Sequence, residues 1–103
     1  MTKVTDYQML IGGAWVDASN GARFNSVNPA TGAIWSTVPE ATAQDVDTAV
    51  QAAHAALDGP WGEMTATQRG KALGRLADLL AENSEHIGRI ETTDTGKMFS
   101  ETA

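Results

Sequence analysis

The stretch Val38-Pro39-Glu40-Ala41-Thr42-Ala43-Gln44-Asp45 marks the point at which the sequence changes from a strand pattern to a helix pattern. Before it, the run Ile34–Val38 alternates as a strand does, which places Trp35 on the face opposite to Ser36. After it, apolar residues recur every three or four positions, as they do along the buried face of a helix. Thr42 is a preferred N-cap residue, and the aspartate three positions later lies where a negative charge stabilises a helix start. The sequence therefore predicts an α+β segment in which strands come first and helices follow.

Two turns divide the strand region, about residues 8–38, into two β-hairpins. Gly12-Gly13 separates the short apolar runs Met9–Ile11 and Ala14–Val16, and glycine supplies the positive φ that a two-residue hairpin turn requires. The turn Asn28-Pro29-Ala30-Thr31-Gly32 separates a second pair of strands, because its proline presets φ and its glycine permits a left-handed exit. We therefore expect two hairpins before the first helix.

Three helices are predicted, over about residues 43–58, 66–83 and 84–95. Gly59-Pro60 ends the first helix, since glycine suits the C-terminal cap and proline cannot continue the helix. Thr65 and Gln68 have the spacing of a capping box at the start of the second helix, and Gly96 ends the third. The second helix carries an apolar stripe that we expect to be buried, made of Leu73, Leu76, Ala77 and Leu80.

Composition excludes several classes of function. The chain has 103 residues and a formal net charge of −6, so it lacks the basic surface that nucleic acid or an anionic membrane would require. It contains no cysteine, which excludes a disulfide framework and a thiol nucleophile within these residues. No signal peptide and no apolar run of about 20 residues is present. We expect a soluble, cytoplasmic protein without nucleic-acid or membrane partners.

Asp94 is the one residue whose position suggests a binding role. It follows Ile90 by four residues and Ile87 by seven, so helical spacing places its carboxylate on the same stripe as two apolar side chains. One interpretation is an ordinary charge at a helix end, solvated or paired with Lys97 or Arg89. The other is an oxygen ligand of a metal site that main-chain carbonyls complete. The residues alone leave both interpretations open.

Other candidate sites do not have the required spacing. Thr95-Gly96-Lys97 is not a phosphate-binding loop, because Glu91 stands where that motif needs glycine and Met98 follows the lysine. His54 and His86 have no second ligand at metal-binding spacing, so each is predicted to lie on a helix surface.

Several motifs match, in order and spacing, the amino-terminal end of one enzyme family. They are Asn28-Pro29-Ala30-Thr31-Gly32, Ala49-Val50-Gln51-Ala52-Ala53, Trp61, Leu76-Ala77-Asp78-Leu79-Leu80 and Glu91-Thr92-Thr93-Asp94-Thr95-Gly96-Lys97. Together they resemble the aldehyde dehydrogenase superfamily, and residues 91–102 look most like the betaine-aldehyde and aminoaldehyde dehydrogenases. The resemblance implies a parent α/β fold with a Rossmann-type cofactor domain. Residues 1–103 would be the N-terminal part of that NAD(P)-binding domain, without the catalytic and oligomerisation domains.

The resemblance implies oxidation of an aldehyde to a carboxylic acid with NAD or NADP. In this family a cysteine attacks the carbonyl, hydride passes to the nicotinamide, and a glutamate activates the water that releases the acid. All of those residues, and the cofactor-binding lysine, lie downstream of the stretch that matches. We therefore assign no catalytic and no cofactor-binding residue to this chain, and we do not expect it to be catalytic alone.

Only a metal site carries over from the resemblance. Betaine-aldehyde-type members bind K⁺ or Na⁺, and the matching positions are the main-chain carbonyls of Ser26 and Val27 and the carboxylate of Asp94. The implied partners are the rest of the enzyme chain and further subunits, in a homodimer or homotetramer. Alone, the segment is expected to self-associate. The alternative is a non-catalytic structural or interaction module that kept this fold.

Overall fold

The computed structural model describes residues 3–102 and confirms the α+β architecture. Its strands are β1 Thr5–Asp6, β2 Met9–Ile11, β3 Ala14–Val16, β4 Arg23–Val27 and β5 Ile34–Pro39. Its helices are α1 Ala43–Leu57, α2 Pro60–Glu63, α3 Ala66–Glu82, α4 Ser84–Thr95 and α5 Phe99–Thr102. Strands precede helices along the described chain, as the change of pattern near Thr42 predicts.

Both predicted hairpins are present. Strands β2 and β3 pair antiparallel around Gly12 and Gly13, whose φ values of 59° and 80° are those of a tight two-residue turn. Strands β4 and β5 pair antiparallel around the Asn28–Gly32 turn. Strand β1, which the sequence analysis omits, pairs parallel to β5 and makes a sheet of three strands in the order β1-β5-β4. Two residues are too few to show an alternating pattern.

The predicted alternation fails at Trp35. Ser26 pairs with Ser36 and the next residue, Val27, pairs with Ile34, so Trp35 is an additional residue on β5. Such a β-bulge interrupts the regular reversal of side chains along a strand. Trp35 and Ser36 consequently both line the cleft between this sheet and α4. The prediction that they occupy opposite faces is wrong.

Both predicted helix caps are formed. At the start of α1, the Thr42 side chain accepts a hydrogen bond from the Asp45 amide, and the Asp45 side chain accepts one from the Thr42 amide. Thr65 and Gln68 make the same reciprocal pair at the start of α3. The sequence analysis did not predict the short helices α2 and α5. Helix α2 forms because Pro60 stands at its first turn, where no amide donor is needed.

The structure has almost no apolar core. Ala18 is the one hydrophobic residue classed as buried among residues 3–102. The predicted buried stripe of α3 is wrong, since Leu73, Leu76 and Leu80 are 57%, 52% and 51% exposed. The helical period correctly indicates which face is apolar, but within the described chain that face is left largely uncovered.

Hydrogen bonds of Arg23 connect the three-stranded sheet to the β2–β3 hairpin. Arg23 on β4 donates from its Nε to the Thr37 hydroxyl at 2.9 Å and from Nη1 to the Asp17 carboxylate at 3.1 Å. Its Nη2 donates to the main-chain oxygens of Thr37, at 3.1 Å, and Tyr7. One guanidinium therefore connects the three-stranded sheet to the end of the β2–β3 hairpin.

Asp45 makes a second connection, between α1 and the loop that follows β3. Its two carboxylate oxygens each accept from the Ser19 amide at 3.1 Å, and one also accepts from the Thr42 amide at 2.9 Å. The side chain is buried. The backbone N–H groups of Thr42 and Ser19 hold the pKa of Asp45 below its ordinary value, although burial acts in the opposite direction.

The Asp45 contacts predict a specific acid dependence of stability. Because the folded chain holds the pKa of Asp45 below its unfolded value of about 4, the stabilisation is complete above that value and is lost as the pH falls through the folded pKa. Asp45→Asn should lower the free energy of unfolding at neutral pH, and the difference from wild type should shrink in acid. Urea unfolding across that pH range measures both effects.

The matched control is Asp47→Asn, on the same helix, where the side chain is exposed and, among residues 3–102, accepts a hydrogen bond only from Gln51. It should leave the stability at neutral pH nearly unchanged. An equal loss of unfolding free energy in the two variants would contradict the stabilising role of the Asp45 carboxylate. So would a wild-type chain that remains more stable than Asp45→Asn at the acid limit.

Candidate functional site

Two of the motifs quoted above meet in the structure. The Asn28–Gly32 turn is closed by hydrogen bonds from the Thr31 and Gly32 amides to the Asn28 carbonyl, at 3.3 and 2.8 Å. Gly96 ends α4 in a left-handed conformation with φ of 78°, and its amide donates to the Thr92 carbonyl at 2.9 Å. A Cβ at Gly96 would lie 2.9 Å from Cγ of Pro29. Glycine is therefore required here both by its φ and by the contact with the turn.

Asp94 lies two residues before Gly96 and accepts hydrogen bonds from the sheet. Its Oδ1 accepts a hydrogen bond from the Ser26 hydroxyl and a second, at 3.2 Å, from Nε1 of Trp35. The structure thus brings together Ser26 and Asp94, two of the three residues in the expected cation site. Val27, the third, follows Ser26 at the bulge, and its side chain is exposed.

Trp35 is the contact that the sequence analysis missed. A regular strand would have directed its side chain away from Ser36 and Asp94, and only the bulge brings the indole to Asp94. No local signal in the sequence identifies the additional residue, because bulges arise from pairing between strands.

The ion pair with Arg89, one of the alternatives that the sequence left open for Asp94, is not formed. Arg89 bridges to Glu85 at 2.9 Å, and its guanidinium lies 4.5 Å from the ring centroid of Phe99. No lysine or arginine within residues 3–102 forms an ion pair with Asp94, so Lys97 does not compensate it either. The carboxylate is exposed and carries a charge that no basic side chain of the described chain neutralises.

A cleft of about 590 Å³ lies between the three-stranded sheet and α4. Aromatic side chains from the sheet, Tyr7, Phe24 and Trp35, form part of its lining, and α4 contributes Ile87 and Ile90. Asp94 and Glu91 supply its charged groups. The lining is thus apolar and acidic, with no basic residue in it.

The donor set fits a hard cation better than a transition metal. The groups available are a carboxylate, a hydroxyl and main-chain carbonyls, and such oxygen ligands suit hard cations. Oδ1 of Asp94 is occupied by two donors, whereas Oδ2 accepts no hydrogen bond from the described residues. Nowhere in residues 3–102 do three or more histidine, cysteine or carboxylate side chains gather in a way that could hold a metal ion.

The chain matches the family described as the aldehyde dehydrogenase family over residues 15–103. It is 46% identical, over 98 residues, to (Z)-2-((N-methylformamido)methylene)-5-hydroxybutyrolactone dehydrogenase from Acinetobacter baylyi, a match covering 94% of this chain and 20% of that enzyme. This chain therefore belongs to the aldehyde dehydrogenase family.

Solved structures show the same relationship. An NAD-dependent aldehyde dehydrogenase from Sinorhizobium meliloti superposes with a TM-score of 0.92 at 37% identity, over 97% of this chain and 20% of that enzyme. A betaine aldehyde dehydrogenase from Staphylococcus aureus superposes with a TM-score of 0.86 at 36% identity, over 92% of this chain and 19% of that chain. The chain spans about a fifth of the length of these relatives, and the resemblance seen in the sequence is confirmed.

The contact between Gly96 and Pro29 predicts the effect of one methyl group. Gly96→Ala should lower the free energy of unfolding by about 1–2 kcal/mol from the left-handed φ alone, with a further loss because Pro29 must move. Gly74→Ala is the matched control: Gly74 lies within α3 with open space around its Cβ position. The control should stabilise the helix by about 1 kcal/mol.

Urea unfolding of the two variants checks this prediction. Opposite signs for the two substitutions are expected from the left-handed φ of Gly96 alone, so the size of the loss decides. A loss greater than about 2 kcal/mol would support the contact between the turn and the end of α4, whereas a loss of only about 1–2 kcal/mol would show that the contact with Pro29 adds nothing.

Proposed function

We propose that this chain supplies the first part of the NAD(P)-binding domain of an enzyme that oxidises an aldehyde to a carboxylic acid. The observation that carries the proposal is the match over residues 15–103, together with superposition on an NAD-dependent aldehyde dehydrogenase along nearly the whole chain. NAD or NADP would accept the hydride; a Bacillus cereus relative, 40% identical, has been solved with NAD⁺.

The reactive groups of that enzyme would come from other residues. This chain has no cysteine, so it cannot supply the thiol that attacks the carbonyl in this family. Its own contribution is to hold the Asn28–Gly32 turn and the helices α1, α3 and α4 in a fixed arrangement. We assign it neither a catalytic nor a cofactor-binding residue.

The amount of exposed surface supports a role within a larger subunit. A folded monomer of 10.8 kDa exposes about 5,500 Å², whereas this chain exposes 7572 Å². Its radius of gyration is 17.0 Å, against about 13 Å for a compact chain of this length. The chain therefore exposes about 2,000 Å² more than a compact monomer of its mass. An area of that size, counted on one partner, is within the range that obligate interfaces bury.

The apolar faces of α1 and α3 contribute to that excess. Val46, Val50 and Leu57 are exposed on α1, and Leu73 and Leu76 are exposed on α3. Exposed apolar area of this extent is characteristic of a surface that another element covers. We propose that the remainder of an aldehyde dehydrogenase subunit covers these faces, and that subunits assemble as homodimers or homotetramers in the cytoplasm. No helix among residues 3–102 has both the length and the apolar composition needed to cross a membrane.

We also propose that Asp94 provides a carboxylate ligand for K⁺ or Na⁺, with the main-chain carbonyls of Ser26 and Val27. Support comes from the hydrogen bond between Ser26 and Asp94, from the free Oδ2, and from the absence of an ion pair to Asp94 within the described chain. The cation would supply charge compensation between β4 and the end of α4.

Reassembly with a complementary segment tests the proposed function. The partner is the part of the Acinetobacter baylyi relative that follows the region matched by this chain. Co-expressed with it, this chain should restore aldehyde-dependent formation of reduced nicotinamide cofactor, whereas either piece alone should give none. The relative's own amino-terminal segment is the positive control.

Two outcomes would contradict the proposal. If the control segment restores turnover and this chain binds the partner without restoring it, the chain is a structural module that kept the fold. Turnover by this chain alone, free of longer contaminants, would show that the assignment of the reactive groups elsewhere is wrong.

The exposed apolar faces predict self-association of the isolated chain. A double substitution Leu73→Glu/Leu76→Glu should shift the sedimentation profile toward the monomer and lower the binding of a hydrophobic dye, because it places charge on the α3 face. Thr67→Glu, on the polar side of the same helix, should change neither measurement. A wild-type chain that sediments as a monomer and binds no dye would refute this prediction.

A further inference from the structure

We propose that Trp35 is a positioning residue for the cation site, acting through Asp94. The inference rests on the proposed role of Asp94 as a ligand and adds to it a residue that does not touch the cation. The bulge in β5 places the Trp35 N–H at one oxygen of the Asp94 carboxylate and so determines that the other oxygen is free.

The bulge is what makes the contact geometrically available. Ser26 pairs with Ser36 and Val27 with Ile34, so the strand gives Trp35 no partner of its own. An unpaired residue at a bulge can direct its side chain where regular alternation forbids it, and bulges occur often beside functional sites. Here the indole is directed to α4, where its Nε1 lies 3.2 Å from Oδ1 of Asp94.

The indole is itself held in place. The Tyr7 ring lies against it with the centroids 6.0 Å apart and the planes at 68°, an edge-to-face arrangement that favours one ring orientation. Both rings line the cleft between sheet and helix. The Nε1–H donor therefore belongs to a side chain fixed by packing, unlike the donors of flexible surface residues.

Two donors converge on a single carboxylate oxygen. The Ser26 hydroxyl and the Trp35 indole both bind Oδ1, and no described residue donates to Oδ2. With Oδ1 occupied in this way, Oδ2 is the oxygen left to bind a cation beside the Ser26 and Val27 carbonyls. Groups that orient a ligand in this manner raise metal affinity without contacting the metal.

The test measures cation binding with Trp35→Phe, which keeps an aromatic ring beside Tyr7 and removes the N–H donor together with the second ring of the indole. K⁺ is titrated at constant ionic strength against N-methylglucamine, using the isolated chain and the complex reassembled as above. The readouts are the melting temperature and the indole N–H resonances in nitrogen-15 correlation spectra. Trp61→Phe, on α2 and away from the cleft lining, is the control.

In wild type, K⁺ should raise the melting temperature and shift the Trp35 indole resonance, because that proton is bonded to the ligand carboxylate. Asp94→Asn should abolish both responses. Trp35→Phe should lower the apparent affinity for K⁺ about tenfold, and Trp61→Phe should retain the wild-type affinity.

The outcomes separate the two proposals. If the wild type responds to K⁺ and Trp35→Phe responds with the same affinity, the positioning role is refuted and the cation site stands. If the wild type shows no response in either form of the protein, the cation site is refuted, and the role of Trp35 with it. If Trp35→Phe does not fold, the wild-type indole resonance decides: a K⁺-dependent shift that Asp94→Asn removes supports the proposal, and its absence overturns it.

Discussion

The hydrogen bonds of Arg23 are the contacts on which the strand half of this structure depends. One guanidinium donates to β5, to the segment after β1 and to the end of β3, and so connects two sheets that share no strand. Asp45 then connects the loop after β3 to α1, and Asp94 connects α4 to the sheet. Hydrogen bonds that involve a charged group are the stronger ones in proteins. These bonds fix the arrangement of the elements in a chain that buries almost no apolar side chain. The apolar faces of its helices remain uncovered.

Local signals in the sequence predicted the local structure well. The N-cap at Thr42, the capping box at Thr65 and the glycines of the first hairpin each depend on residues within a few positions of one another, so the sequence contains all the information needed. The contacts of Arg23 were not predicted, because they join residues up to sixteen positions apart through the sheet pairing. The bulge at Trp35 was missed for the same reason. In each case the missing information is the register between strands.

The apolar stripe of α3 shows a different limit. Periodicity identified its leucines correctly as one face, but it cannot state what covers that face. For the candidate site, the sequence identified Asp94 and, through a family resemblance, Ser26 and Val27. It left Asp94 open between an ordinary charge at a helix end, either solvated or ion-paired, and a metal ligand. The structure removes the pairing with Arg89 and adds Trp35. The partner that we propose for the exposed faces is the rest of an aldehyde dehydrogenase subunit.

We propose that the apolar faces of α1 and α3 form an interface that a longer dehydrogenase chain covers. The decisive measurement is the heat-capacity change on association with the complementary segment of the Acinetobacter relative, obtained by titration calorimetry over a range of temperatures. Burial of apolar area gives a negative heat-capacity change on binding. We expect a large negative heat-capacity change, which Leu73→Glu/Leu76→Glu should reduce substantially. A value near zero, or one that the double substitution leaves unchanged, would contradict it.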